Sequence, residues 1–512
     1  MPIIRLRLSS KSIKTTMIRS IVVSPRGNRG VLLFFALGLA LHVGVWFQVG
    51  YSLEDKDDLF ILPSLIVSPK SEKLLPKTSP SSIELKNHST MFALPPLEWR
   101  SDYPSPVAGL LKFYIYENLP KELGVDVEDQ LYELYRNESY DNNYKVDLAL
   151  LQLFRSFPGR TWKPEEADIF VVPYLHAGHC ILQYGWSVGC RQVTTKVFVE
   201  QLYPSLTYFN ETTKERHLFL ALAGLDHTRK QLRNNSLILT AGPRKPTSLP
   251  GFIVVSQLND HPRFQPSNII AHPDDWWTRP RKYAFVSHYG ENNNAMHGKG
   301  GRRFRRFFRR DFDAHYSADK GKTMAGLPFS LSHGGQNWKF QKDDIYQQYA
   351  DSVFCPILAG DMAWQRRFFD VIMSGCLPVV LSWNTSRGTS WHIPETMSPI
   401  TPSIDMAYPF AKGRFSGKDL AVDYESFVVQ CPGNVTNQED VSSLRMTMLD
   451  LLENKPDEIR QRQLNMKEYA MAFSFGLGED AHRYNDAFAR IVRVLKQYID
   501  DLDRRSTRYV RT

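Results

Sequence analysis

Arg366 and Arg367 stand side by side, four and three residues ahead of Asp370 and shortly after a Gly360-Asp361 pair. The stretch around them, SVFCPILAGDMAWQRRFFDVIMSGCLPVVLSW over residues 352–383, reads as strand, loop, helix, strand. Gly360-Asp361 makes the turn out of the strand, and Asp361 suits the N-cap of the helix that follows. Trp364, Phe368, Val371 and Ile372 recur at helical spacing and form one apolar face for a sheet. A loop of this kind lies at the C-terminal end of a parallel strand, where open α/β sheets bind ligands. The helix start there offers free N–H groups and a positive dipole end to an anion. Helical side chains lean toward the N-terminus, so both arginines can reach the loop, and a guanidinium fork suits a diphosphate. The same spacing equally serves two arginines solvated on the outer face of the helix.

Other residues could also do chemistry. Asp226 and His227 follow an apolar run, RHLFLALAG over 216–224, and could act as a base with its orienting partner. A structural role at a strand end fits them as well. His176 and His179 have helix-like spacing, but with no carboxylate nearby they read as ordinary polar structure rather than a metal site. The segment GKGGRRFRRFFRRDF over 298–312 holds six arginines around Phe304, Phe307 and Phe308. It reads first as an amphipathic helix with a solvated basic face, and second as a site for an acidic acceptor or for donor phosphates. Asp501-Leu502-Asp503 matches a metal-binding triplet but stands in a polar C-terminal segment, where chance explains it better. No C-x-x-C occurs, so zinc or thioredoxin chemistry has no support.

The formal charge of +9 invites a nucleic-acid reading, which its distribution removes. Residues 1–53 hold seven basic residues and no acid, leaving only +2 for the rest of the chain. A nearly neutral remainder argues against binding to a phosphate backbone. Val31–Val49, VLLFFALGLALHVGVWFQV, is close to the ~20 apolar residues needed to span a bilayer. Positive charge precedes it and LEDKDD follows, which places the short N-terminus in the cytosol and the bulk of the chain in a lumen. The basic region is long and no clean small-residue cleavage site follows, which favours an uncleaved anchor over a cleaved signal peptide. The Ser-, Pro- and Lys-rich stretch to Pro106 reads as a stem. Six N-x-S/T triplets, at Asn87, Asn137, Asn210, Asn234, Asn384 and Asn434, agree with a lumenal address. So do five cysteines, among which Cys180 and Cys190 are expected to pair across a short loop. Cys355 and Cys376, on neighbouring elements, are a second candidate pair.

The elements that must position these residues form two blocks. Apolar runs at 111–116, 167–175, 216–224 and 236–242 alternate with helical stretches, and the pattern restarts at GFIVVSQ and RKYAFVSHYG. Continuous apolar strands between helices imply parallel sheets covered on both faces. Two such blocks suggest two Rossmann-like domains facing a cleft. Residues 456–499 are strongly helical, and the polar tail from Asp500 is expected to fray.

The 352–383 stretch resembles the exostosin family of inverting glycosyltransferases. Ser352, Phe354, Cys355, Gly360, Asp361, Arg367, Phe369, Asp370, Ile372, Gly375, Cys376, Leu377, Pro378 and Val379 match its pattern. ADIFVVPYLHAG, Leu225-Asp226-His227 and RPRKYAFVSHYG give weaker echoes of earlier family elements. The chain departs from the pattern where the family has Ser or Thr just before the arginine; Met362, Ala363, Trp364 and Gln365 stand there. Pro356 replaces an apolar residue, and Leu358 takes the place of the family proline.

The resemblance implies an α/β, GT-B-like fold preceded by a single transmembrane helix. It divides the chain into a cytosolic tail (1–30), signal-anchor (31–50), stem (51–106), acceptor-side domain (107–250), nucleotide-sugar-binding domain (251–455) and C-terminal helices and tail (456–512). It implies a Golgi type II enzyme that transfers a sugar, with inversion, from a nucleotide sugar such as a UDP-sugar to a glycan or glycoprotein. It implies that no metal or other cofactor is needed, and it allows association with itself or with a second glycosyltransferase. Asp226 and His227 become the catalytic pair, and Gly360, Asp361, Arg366, Arg367 and Asp370 the donor site. The alternatives are a catalytically silent lumenal partner of an active transferase and an anchored binder of acidic glycans.

Overall fold

The continuous apolar runs do become parallel strands. β1 (Phe113–Ile115), β2 (Arg160–Thr161), β3 (Ile169–Val172), β4 (His217–Leu220), β5 (Leu237–Thr240) and β6 (Phe252–Val254) form a sheet ordered β2-β1-β3-β4-β5-β6, with every pairing parallel. Side chains alternate between its faces. Phe113, Ile169, Val171, Leu218, Leu220, Leu237 and Leu239 face the main core, while Tyr116, Phe170, Val172, Phe219 and Ile238 enter a second apolar cluster. Burial on both faces is why these strands are apolar at every position.

The computed structural model describes residues 105–136, 145–221, 236–240, 251–290, 299–316, 323–334, 342–357, 366–381 and 408–509, except for stretches inside 177–196, 413–418 and 432–437. All of them lie in one compact unit, Lys86–Thr512. Cys180, Cys190, the apolar run at 31–50 and the stem fall outside the described residues. Among the described residues, no helix is long and apolar enough to cross a membrane.

Helices α1 (Val125–Arg136) and α2 (Lys145–Ser156) belong to the first block, and α2 buries Leu148, Leu150, Leu151 and Phe154 in the main core. The second sheet is built from β7 (Tyr283–Gly290), β10 (Ser330–Gly334), β11 (Ser352–Pro356), β12 (Leu377–Leu381) and β13 (Val429–Cys431), in the order β10-β7-β11-β12-β13 and wholly parallel. A small antiparallel pair, β8 (Thr323–Met324) and β9 (Leu327–Pro328), precedes β10. The helices of this block are α3 (Lys299–His315), α4 (Lys342–Ala350) and α5 (Arg366–Met373). α6 (Gln438–Asn454), α7 (Pro456–Ala470) and α8 (Ala487–Tyr509) complete the chain.

Two expectations are corrected. Gly251–Gln257 was assigned to the second block, yet Phe252–Val254 pairs with β5 and closes the first sheet. An apolar run carries no mark of which sheet it joins. The tail expected to fray from Asp500 is instead helix through Tyr509. Leu502 is buried on its inner face, and Asp503 forms an ion pair with Arg216 at the start of β4. α8 thus lies back on the first block, where Phe488 packs edge-on against Phe154 with ring centroids 5.1 Å apart.

The β11–α5–β12 unit is fixed at both ends. A disulfide joins Cys355 to Cys376, closing a span of 21 residues with Cα atoms 5.9 Å apart. Gly375 ends α5 in the left-handed region, at φ +75°, with its N–H donating to the Ile372 carbonyl and that of Cys376 to Val371. Beneath the turn lies the buried Arg281. Its guanidinium donates to the carbonyls of Ala350, Trp277 and Gly375, which end or follow α4, the Asp274–Thr278 helix and α5. One cation thereby serves three helix C-termini, each carrying unpaired carbonyls and partial negative charge. Burial pulls its pKa down, to about 10.

A Cβ on Gly375 would stand 3.0 Å from both Arg281 Nη2 and Trp276. Gly375→Ala is therefore expected to cost about 2 kcal/mol of stability, from left-handed strain plus displacement of the guanidinium. A urea unfolding midpoint equal to that of the parent would show that the turn relaxes freely.

Candidate donor site at the start of α5

α5 begins beyond the C-terminal end of β11, the end at which a parallel sheet presents ligand sites. Phe368, Val371 and Ile372 are fully buried, as their spacing requires, and anchor the helix on the sheet. Gly360, Asp361 and Trp364 lie outside the described residues.

The arginines have unequal surroundings. Arg366 Nε lies 3.5 Å from Oδ2 of Asp370, one turn along the helix, and the Asp370 side chain is only 6% exposed. Its other oxygen, Oδ1, accepts from Asn259 Nδ2 at 2.7 Å. Nδ2 also donates to Tyr346 Oη at 2.9 Å, while Asn259 Oδ1 accepts the backbone N–H of His261 at 3.0 Å. Burial raises the pKa of Asp370; Arg366, the Asn259 hydrogen bond and Arg367 pull it back. Among the described residues Arg367 forms no ion pair, and its Nη1 is buried without a hydrogen-bond partner. Tyr349, fully buried, has its pKa raised by burial and lowered in part by Arg367. His288, on β7, shares a 2.6 Å hydrogen bond with Gln348 Oε1, which makes Nε2 the donor. Burial lowers its pKa, the Gln348 contact opposes that, and the nearby Arg367 lowers it further.

Among the described residues, the three side chains sum to one positive charge. Asp370 offsets Arg366, and Arg367 keeps a buried N–H with nothing to bond. A buried donor left unpaired is costly, and an anion at this place relieves it. The donor set suits a phosphate oxygen.

Asp226 and His227, the expected catalytic pair, lie outside the described residues. His179 is buried, with Nδ1 2.8 Å from Tyr174 Oη, and among the described residues no group of His, Cys, Asp or Glu side chains could hold a metal ion. In the basic helix α3, Phe308 and Phe312 are buried and the buried Asp311 receives Arg445 Nε at 2.8 Å, while Arg310 is exposed. These positions show an amphipathic helix packed on α6. Asn259, Tyr346, Tyr349 and His288 were not singled out from the sequence. They come from the inter-sheet connection, α4 and β7, and only the fold brings them to α5.

The family model for the exostosin GT47 domain matches residues 109–398, more than half of the 512-residue chain. The chain belongs to the exostosin GT47 family. It is a glycosyltransferase. The GT47 match runs from just before β1 to beyond β12, so it contains both sheets up to β12 and the whole arginine-bearing helix. A search of curated proteins finds no match. The GT47 assignment gives the arginine pair a chemical context, because a glycosyltransferase must hold a nucleotide sugar and an acceptor.

The two arginines should separate experimentally. Arg366→Ala leaves a buried carboxylate without its ion pair and is expected to destabilise the fold by about 2 kcal/mol, after allowance for the partial exposure of the pair. Arg367→Ala removes a cation with no ion pair among the described residues, together with its hydrogen bond to the buried Tyr349, and should lower the urea midpoint less than Arg366→Ala does. Equal losses of stability would contradict the unequal pairing.

Proposed function

We propose that this GT47 enzyme is a type II Golgi membrane glycosyltransferase of GT-B architecture. It transfers a sugar, with inversion, from a UDP-sugar to a glycan or glycoprotein. The observation that carries the donor assignment is the unpaired buried Nη1 of Arg367 at the start of α5, beyond the end of β11. The guanidinium binds the diphosphate, and Gly360 and Asp361 are the further residues of the donor site. Arg366 and Asp370 fix the helix face behind it.

In the transfer step the acceptor hydroxyl oxygen forms a bond to the anomeric carbon from the face opposite the diphosphate. The bond between that carbon and the phosphate oxygen breaks, and UDP departs with the electron pair. Asp226, oriented by His227, takes the hydroxyl proton. Arg367 and the helix dipole stabilise the charge growing on the leaving diphosphate, a role that needs no metal ion. The apolar run at 31–50, the charge asymmetry around it, the six sequons and the Cys355–Cys376 disulfide support the membrane-anchored, lumenal reading.

Titration of UDP into the parent and Arg367→Ala proteins tests the donor site. The variant should bind more weakly by about 2–4 kcal/mol, as expected for loss of a charge-assisted, partly buried contact. Equal affinity in a folded variant would put the diphosphate elsewhere.

A further inference from the structure

Asn259 belongs to the connection between β6 and β7, remote in sequence from the arginine pair, yet it is buried against Asp370. Its amide cannot turn over without loss. Oδ1 accepts from His261 N–H, and Nδ2 donates to both Tyr346 and Asp370.

Asp370 has a choice of partner. It follows Arg366 by four residues and Arg367 by three, and either spacing brings a carboxylate and a guanidinium together on a helix. In the structure Asp370 Oδ2 takes Arg366, and Arg367 forms no ion pair among the described residues. With Oδ1 tied to Asn259, the orientation of the carboxylate is set and Oδ2 is directed to Arg366. Were Asp370 to turn to Arg367, the charge that holds the diphosphate would be cancelled before the donor arrived.

We propose that Asn259 is a positioning residue for donor binding. It holds the Asp370 carboxylate on Arg366 and so keeps the charge of Arg367 available for the diphosphate. The inference rests on the reading of Arg367 as the diphosphate anchor. Asn259 itself touches no substrate.

The test is a double-mutant cycle read by UDP affinity, with the parent, Asn259→Ala, Arg367→Ala and the double variant. Asn259→Ala should weaken UDP binding about tenfold in the parent background and have no further effect when Arg367 is already absent. Asn259→Leu, which keeps bulk without the amide, should behave as Asn259→Ala does and replaces it if the smaller side chain prevents folding. A parent-like UDP affinity for Asn259→Leu overturns the proposal while leaving the donor site intact. Equal weakening in both backgrounds overturns it too, since Asn259 would then act on the fold at large. If Arg367→Ala itself binds UDP as the parent does, the donor-site reading has failed first, and the two failures are told apart.

Discussion

A buried carboxylate, on the side of α5 turned away from Phe368 and Ile372, sets the electrostatics around the start of that helix. Asp370 shares α5 with Phe368, Val371 and Ile372, all fully buried, and an ionised group there is tolerated only with partners. It has two, Arg366 and Asn259, and these use both of its oxygens. That pairing leaves Arg367, the next residue along, with no ion pair among the described residues and a buried Nη1 without a hydrogen-bond partner. The charge of Arg367 is therefore a remainder, left because the structural demand of Asp370 is met by one arginine and not by both.

Everything around α5 keeps that remainder in place. The disulfide from Cys355 to Cys376 ties the end of β11 to the entrance of β12, so the loop and helix between them are held at both ends. Arg281 gathers the ends of α4, α5 and the Asp274–Thr278 helix on one guanidinium, and Gly375 gives it room. Ser256 Oγ donates to the Phe473 carbonyl at 3.2 Å, which joins the inter-sheet connection to the segment leading into α8. The connection that carries Asn259 is thereby packed from the C-terminal side of the chain. Strand, helix and connection converge on the buried carboxylate of Asp370.

The sheets were legible because parallel strands buried on both faces must be apolar throughout, as Ile169–Val172 and Leu237–Thr240 are. The apolar face of α5 was legible from spacing alone, and Cys355 and Cys376, only a second candidate pair in the sequence, are joined. Which sheet Phe252–Val254 would join was not, since its partner β5 is chosen by register and not by composition. The helical tail was hidden by its polarity: Leu502 turns inward, and Asp503 finds its partner in Arg216 of the first block. Spacing showed two arginines and an aspartate but could not say which arginine the aspartate would take. Asn259 decides that from 111 residues away, and nothing in its local sequence signals it.

The most direct measurement is calorimetric titration of the intact parent protein with UDP, UMP and uridine under one set of conditions. If Arg367 and the start of α5 hold a diphosphate, affinity must rise with each phosphate, and UDP should bind at least ~100-fold tighter than uridine, in keeping with two charge-assisted contacts. Uridine binding as tightly as UDP would contradict the account, because the nucleotide would then be held by its base and ribose while the charge of Arg367 served some other purpose.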